Sequence, residues 1–335
     1  MSNKFEKQQT YLERESECQL HFMEDGPFYF ICADHRDEII FTNDAEFKYA
    51  INSTAIAVAE SGVKMYVDII MSNHGHWLVS GRPEQCQLFY DVWRDKVYLM
   101  ERDRDKQCSK VKWDCKIYPI KDLKMFRNVV AYIARNAYVA MKNETPIGYP
   151  WGSADLFFNR HYDNLPKGTP YNDLTYRQKR QICRGRSIDL PDNYMVYNGL
   201  IVPTSYIERP GVENFFLHAN QYFSMLARHA EADIEIGMMT GEKMMLPDDE
   251  MFSTVSAWSR QSFGVPIKSL SEVQKFDIAK KMKYACNSDN RQISQILRLS
   301  REVVGRQLSS VISVDFHCFC KGTTSEKDLL TMLIP

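Results

Sequence analysis

Between Val63 and Val79 the apolar and polar positions alternate with a period of two. Val63, Met65, Val67, Ile69 and Met71 interleave with Lys64, Tyr66 and Asp68, the signature of a half-buried strand. After Ser72-Asn73 the chain resumes as His74-Gly75-His76-Trp77-Leu78-Val79. An extended backbone sends His74, His76 and Leu78 to one face and Trp77 and Val79 to the other. An aromatic and β-branched run over 28–33 predicts a buried strand, and 39–42 a short second one. Asn43 reads as a helix N-cap with Glu46 completing a capping box. Phe47, Ile51, Ala55 and Val58 follow at helical spacing until Gly62. The pattern predicts further helices over 83–100 and 123–141 and a strand over 113–119. Strands alternating with helices, two of them meeting at Ser72-Asn73, imply an α+β arrangement: an antiparallel sheet backed by helices.

Within the long helix, Phe126, Val129, Ile133, Ala137 and Ala140 make the apolar stripe. Asn128, Tyr132 and Asn136, each four residues apart, form a second line beside it. This places Tyr132 at the edge of the core, its hydroxyl facing an open groove.

The second half is organised differently. Residues 159–202 read as an irregular, basic linker or arm, with Arg177, Lys179, Arg180, Arg184 and Arg186 uninterrupted by acidic residues and Tyr171 and Tyr176 just before them. Such a cluster suits backbone phosphates, with rings to stack on unpaired bases; a solvated loop is the alternative. The stretch from 101 to 116 carries six basic and four acidic residues and reads as plain surface. From 203 to 335 the pattern is mainly helical, with helices expected over 212–236, 250–262, 270–286, 291–297 and 301–308. A strand over 311–320 and a short terminal helix follow. The run from Gln292 to Ser300, within 271–309, resembles the core of a helix-turn-helix. Its last helix would offer Arg301 and Arg306 to a major groove. Arg298 occupies the turn position that often holds glycine, and a plain three-helix core is the alternative.

At 335 residues the chain is long enough for two domains. With 42 basic and 43 acidic residues its overall charge carries no nucleic-acid signature, so any such surface has to be local. Nine scattered cysteines suit a reducing cytoplasm better than a disulfide framework. His317, Cys318 and Cys320 read as ordinary buried residues sooner than as zinc ligands. With no targeting segment and no membrane-spanning run, the expected location is cytoplasmic.

Two imidazoles on one face of a strand can hold one divalent cation, and a helical tyrosine four residues before an amide can bring a nucleophile and a third ligand to it. Phosphodiester cleavage needs a nucleophile, neutralised phosphoryl oxygens and a stabilised leaving oxygen. A tyrosine that forms a phosphoester conserves the bond energy, so a later hydroxyl can rejoin the strand without ATP. No Walker-type loop is present in the sequence. Each residue alone also has a bland role: a chance histidine pair, a packing tyrosine, a bracing asparagine.

Three segments together resemble a known family. Met71-Ser72-Asn73-His74-Gly75-His76-Trp77-Leu78-Val79 is similar to the MPNHVHLLV signature of single-tyrosine HUH transposases, and within them to that of the REP-associated tyrosine transposases. Tyr132-Ile133-Ala134-Arg135-Asn136-Ala137 resembles that family's YIhxNPvrA helix, and Tyr149-Pro150-Trp151-Gly152-Ser153 its YPWSS tail. The resemblance covers about the first half of the chain. It implies a ferredoxin-like sheet over residues 1–158, with His74, His76 and Asn136 as ligands to Mg2+ or Mn2+ and Tyr132 as nucleophile. The implied reaction leaves a 5′-phosphotyrosine and a free 3′-hydroxyl on single-stranded DNA next to a hairpin of a palindromic repeat. Gly75 stands where the family carries a bulky apolar residue, and Ala137 where it carries proline. Glycine is expected to weaken the strand and its packing beneath the ligands.

The expectation is therefore a metal-dependent single-tyrosine DNA endonuclease and strand transferase with a helical DNA-binding region. The alternatives are a catalytically idle descendant that binds repeats and regulates genes, and an unrelated metal-binding hydrolase. Monomer and dimer are both open.

Overall fold

A computed structural model describes residues 2–35, 39–104, 113–140, 145, 147–164, 168–184, 189–228, 234, 236–237, 239, 246–286 and 288–309. The chain divides into two compact units, 1–242 and 243–335. The first unit thus runs past the boundary expected at 158 and takes in the 159–202 segment. The fold class is the expected one: an antiparallel sheet with flanking helices, and a mainly helical C-terminal region.

The first unit opens with helix α1 (Ser2–Asp25), which the sequence pattern did not predict. Strand β1 (Phe28–Asp34), helix α2 (Asp44–Ser61), hairpin β2 (Lys64–Ile70) and β3 (His74–Ser80), helix α3 (Pro83–Arg104) and strand β4 (Asp114–Ile120) follow. The sheet order is β2-β3-β1-β4 with every pair antiparallel, the ferredoxin-like arrangement. Helix α4 (Leu123–Ala140) then returns across the sheet.

The sequence signals for α2 hold. Asn43 accepts from the backbone of Ala45 and Glu46, and Gly62 ends the helix in the left-handed region at φ 71°. The capping box is not reciprocal, because the Glu46 carboxylate turns to Thr42 N and Oγ1 instead. No strand forms at 39–42; Ile40 and Phe41 both donate backbone N–H to Ser72 O, which pins this stretch to the β2–β3 turn.

Helices α2 and α3 cover one face, where Trp77 meets Phe89 and Trp93 with ring centroids 5.5 and 4.7 Å away. Helix α4 covers the other. Residues 149–153 extend the sheet along β2: Ile70 N donates to Trp151 O, Ser153 N to Asp68 O, and Tyr149 Oη to Ile70 O. The tail motif therefore closes the Asp68–Ile70 part of this edge, and Glu208 N, donating to Met65 O, closes its other end.

Residues 169–201 form a small second sheet, β5 (Thr169–Pro170), β6 (Met195–Tyr197) and β7 (Leu200–Ile201), with helix α5 (Tyr176–Cys183) between its first two strands. The expectation of an irregular linker is corrected here. Asn198 and Gly199, at φ 48° and 76°, make a tight hairpin turn, and Asn52 clamps it by donating to Gly199 O and accepting from Ile201 N. The helix expected over 212–236 is broken: α6 (Arg209–Asn214) and α7 (Ala219–Arg228) flank a turn at 215–218.

The second unit contains α8 (Asp248–Phe263), α9 (Glu272–Ala285), α10 (Asn290–Leu297) and α11 (Arg301–Ser309), close to the expected bounds. Ile278, Met282, Ile293, Leu297, Val304 and Leu308 are buried. Among the described residues no helix is long and apolar enough to cross a membrane. Arg186, the strand and helix expected beyond 311, and the His317, Cys318 and Cys320 run lie outside the described residues.

Candidate functional site

In an antiparallel sheet, directly paired residues project to the same side. His76 is paired with Ile69 on β2 and Cys32 on β1, and Cys32 with Lys116 on β4. His74 is paired with Asp34, and Asp34 with Asp114. Both histidines face α4, whose second line of side chains comes down to meet them. His74 Nε2 lies 3.0 Å from Asn136 Oδ1, and His74 Nδ1 lies 2.8 Å from Asn73 Oδ1. The His74 and His76 ring centroids are 4.9 Å apart. Tyr132 sits edge-on to His76 at 5.5 Å and to Phe30 at 5.9 Å. Residues 74, 76, 132 and 136, far apart in the chain, thus form one cluster.

One expectation fails. Tyr132 is fully buried, not at the rim of an open groove, and Asn128 and Asn136 are buried with it. The helical pattern predicts one buried face, but the whole of 129–137 is enclosed. Tyr132 is closed in by Phe30 and His76 of the sheet, and the far side of the helix by a layer laid over α4. Arg127 donates from Nε to Phe215 O at 2.6 Å and grips Glu15 of α1 with both terminal nitrogens. Buried Arg135 donates to Leu226 O at the end of α7. Phe126 packs on Phe215 at 4.5 Å and on Phe22 at 6.2 Å. His74 alone of the four is partly exposed, so the cluster meets solvent at the His74 end.

Gly75 has a packing reason. A Cβ there would lie 2.5 Å from Trp77 Cη2 and 2.7 Å from Cζ2. The indole is folded over the glycine, held by the Nε1–H bond to Thr54 Oγ1 at 3.2 Å. Trp77 fills the volume a bulky residue at 75 would take, so the expected loss of packing beneath the ligands does not occur. Ala137 is fully buried inside an unbroken helix.

Two imidazoles and an amide oxygen are a donor set that a divalent ion accepts. Among the described residues no group of three or more His, Cys, Asp or Glu side chains is placed to hold a metal. An ion bound here would therefore rely on Asn136 as its third protein ligand. An imidazole-rich, uncharged set favours Mn2+ over Mg2+.

The expected DNA-contacting residues fall in two places. In the first unit Arg177, Lys179 and Arg180 lie on α5, a helix capped reciprocally by Thr175 and Gln178. Lys179 donates to Asn172 O and sits over the Tyr171 ring, and Arg180 lies over Tyr176. Arg184 lies over Tyr49, 3.8 Å from Asp103. A cleft of about 500 Å³ lined by Lys48, Tyr49, Asn52, Gln178, Gln181 and Arg184 separates α5 from α2. It is on the α2 side of the sheet, away from Tyr132. In the second unit Arg301 and Arg306 are exposed on α11, with Arg306 paired to Glu302. Arg298 holds the turn before it in the left-handed region, φ 52° and ψ 51°.

Sequence reasoning missed Phe30 and Tyr118, whose rings adjoin the cluster. The signal was the alternation of Asp114, Lys116 and Tyr118 on β4; the register puts Asp114 and Lys116 in line with His74 and His76, and Tyr118 in line with Phe30 and Leu78.

No protein-family model matches the chain, and no curated protein matches it either. A solved structure described as a REP-associated tyrosine transposase bound to a REP hairpin aligns with 12% identity and a TM-score of 0.31, over 52% of this chain and 94% of that one. A likeness that low establishes neither family nor activity.

Proposed function

We propose that this chain is a divalent-metal-dependent tyrosine endonuclease and strand transferase acting in the cytoplasm on single-stranded DNA beside a hairpin. The observation that carries the reading is the convergence of His74, His76, Asn136 and Tyr132 in one cluster. Tyr132 Oη attacks a backbone phosphorus and the bond to the 3′ oxygen breaks. The phenolic proton is lost and a proton reaches the departing oxygen, leaving a 5′-phosphotyrosine and a 3′-hydroxyl. His74, His76 and Asn136 would hold the ion, which when bound neutralises phosphoryl charge. Arg177, Lys179, Arg180 and Arg184 on the first unit, and Arg301 and Arg306 on the second, would contact phosphates elsewhere on the substrate.

Incubation with hairpin-flanked single strands and Mn2+ tests this directly. A covalent protein–DNA adduct is expected, abolished by chelator and by Tyr132→Phe; an adduct that survives Tyr132→Phe refutes the assignment of the nucleophile.

A second reading has one observation in its favour. The complete enclosure of Tyr132 suits a descendant that binds repeats without cutting them. It predicts hairpin affinity indifferent to chelators and no adduct under any condition.

A further inference from the structure

In the second unit α10 and α11 are eight and nine residues long, joined by the three residues Arg298 to Ser300. These are the proportions of a helix-turn-helix, and local hydrogen bonds fix the turn. Asp289 accepts from Gln292 N to start α10, and Arg298, in the left-handed region, donates its backbone N–H to Ser294 O. Leu299 N reaches the same oxygen at 3.2 Å, and Ser300 Oγ accepts from Val303 N at 3.2 Å to start α11. Ile278 and Met282 of α9, Ile293 and Leu297 of α10 and Val304 and Leu308 of α11 are buried. At helical spacing the opposite, outward face of α11 carries Glu302, Val303 and Arg306. The Glu302 and Arg306 side chains are 76% and 73% exposed, and Val303 is 39% exposed. In a chain of net charge −1, residues 271–309 hold eight basic and four acidic residues. Lys280, Lys281, Arg291, Arg298, Arg301 and Arg306 are all exposed, a local positive surface that suits a duplex backbone. Glu302, in the middle of the outward face, does not suit phosphate, which it repels. Arg306 donates to its Oε1, and a carboxylate has a second oxygen to offer.

We infer that α11 enters the major groove of duplex DNA, where Glu302 accepts from the exocyclic amine of a cytosine and Val303 packs on a neighbouring thymine methyl. Arg301 and Arg306 keep the phosphate contacts proposed above, and Arg306 also holds the Glu302 carboxylate in place. The acidic residue is what separates base reading from phosphate binding. A carboxylate in the groove costs affinity for every sequence except one that presents a donor to it, and cytosine N4 is that donor. The inference stands on the second unit alone and needs no chemistry at Tyr132.

The test is selection by the full-length Tyr132→Phe protein from short DNA duplexes with a randomised centre, followed by fluorescence anisotropy on the selected and a scrambled duplex. A preferred sequence with a cytosine at one position is expected. Glu302→Ala should lose roughly ten-fold of the preference for that cytosine, while affinity for the scrambled duplex holds or rises. Glu302→Gln should move the preference to adenine, whose N6 and N7 match an amide. Replacing the neighbouring thymine by deoxyuridine removes only the methyl; it should weaken the parent protein and leave Val303→Ala unaffected. Arg301→Gln should weaken all duplexes alike and lower the slope of log affinity against log salt by about 0.9, one phosphate contact on B-form DNA. Binding without sequence preference, a preference that survives both Glu302→Ala and Glu302→Gln, or no duplex binding by the parent protein overturns the inference. Each of these outcomes leaves the Tyr132 adduct assay free to succeed, so the two readings fail separately.

Discussion

Gly75→Val tests the claim that Trp77 has taken over the space above Gly75, on the sheet face opposite the two histidines. A Cβ at 75 would lie 2.5 and 2.7 Å from the indole and 3.2 Å from Ile70 Cδ1, so the ring must retreat by about 1 Å to regain ordinary contact near 3.5–4.0 Å. It has little room, being fully buried against Phe89 and Trp93. Overpacking of this kind costs about 1–3 kcal/mol, and a strained Thr54 bond adds about 1 kcal/mol. The better strand propensity of valine returns at most about 1 kcal/mol. The expected net loss is about 2 kcal/mol, read by urea denaturation of the whole chain. Trp77→Leu makes the space, so the double variant should lose clearly less than the sum of the singles. Gly75→Val with unchanged or raised stability, or strict additivity with Trp77→Leu, refutes the reasoning.

Other consequences are as specific. Burial pushes the Asp68 carboxyl up to about 6 despite hydrogen bonds from Ser153 and Tyr206. A carboxyl whose folded pKa is raised from 3.8 adds stability below about pH 4 that is lost as pH rises through about 6. This is about 3 kcal/mol between those limits, and Asp68→Asn should flatten that part of the stability–pH curve. Replacing Asn136 by aspartate adds a charge to an uncharged donor set and should tighten Mn2+ binding by roughly ten-fold in calorimetry; His76→Ala should abolish it. Arg298→Gly relieves a left-handed turn residue costing about 1–2 kcal/mol. Glycine's larger unfolded-state entropy offsets about 0.5–1 kcal/mol of this, so the melting temperature should rise slightly or hold.

The parts of the fold legible in sequence were those where one local signal decided the outcome. Asn43 and Gly62 bound α2, and the period-two run through His74 and His76 makes β2 and β3. Arg298 in the turn did not prevent the α10–α11 pair, because the backbone there adopts the left-handed turn without glycine. What escaped depended on distant partners. Residues 39–42 looked like a strand but are held by Ser72 O. Strands β5 to β7 are two or three residues long, too short for periodicity, and only Asn198-Gly199 announced them. For the site, the strand face and the spacing of Tyr132 and Asn136 were readable. The full burial of Tyr132 was not, since it packs edge-on to Phe30 and His76 on the sheet, partners distant in the chain.

The central claim is that Tyr132 and the two histidines act on one phosphate, and peptide mapping of the protein–DNA adduct tests it most directly. After incubation with a hairpin-flanked single strand and Mn2+, digestion and mass spectrometry should place a 5′-linked nucleotide on the peptide carrying Tyr132, and none should form with His76→Ala. A nucleotide on Tyr138, Tyr149 or any other tyrosine, or an undiminished adduct in His76→Ala, would contradict it.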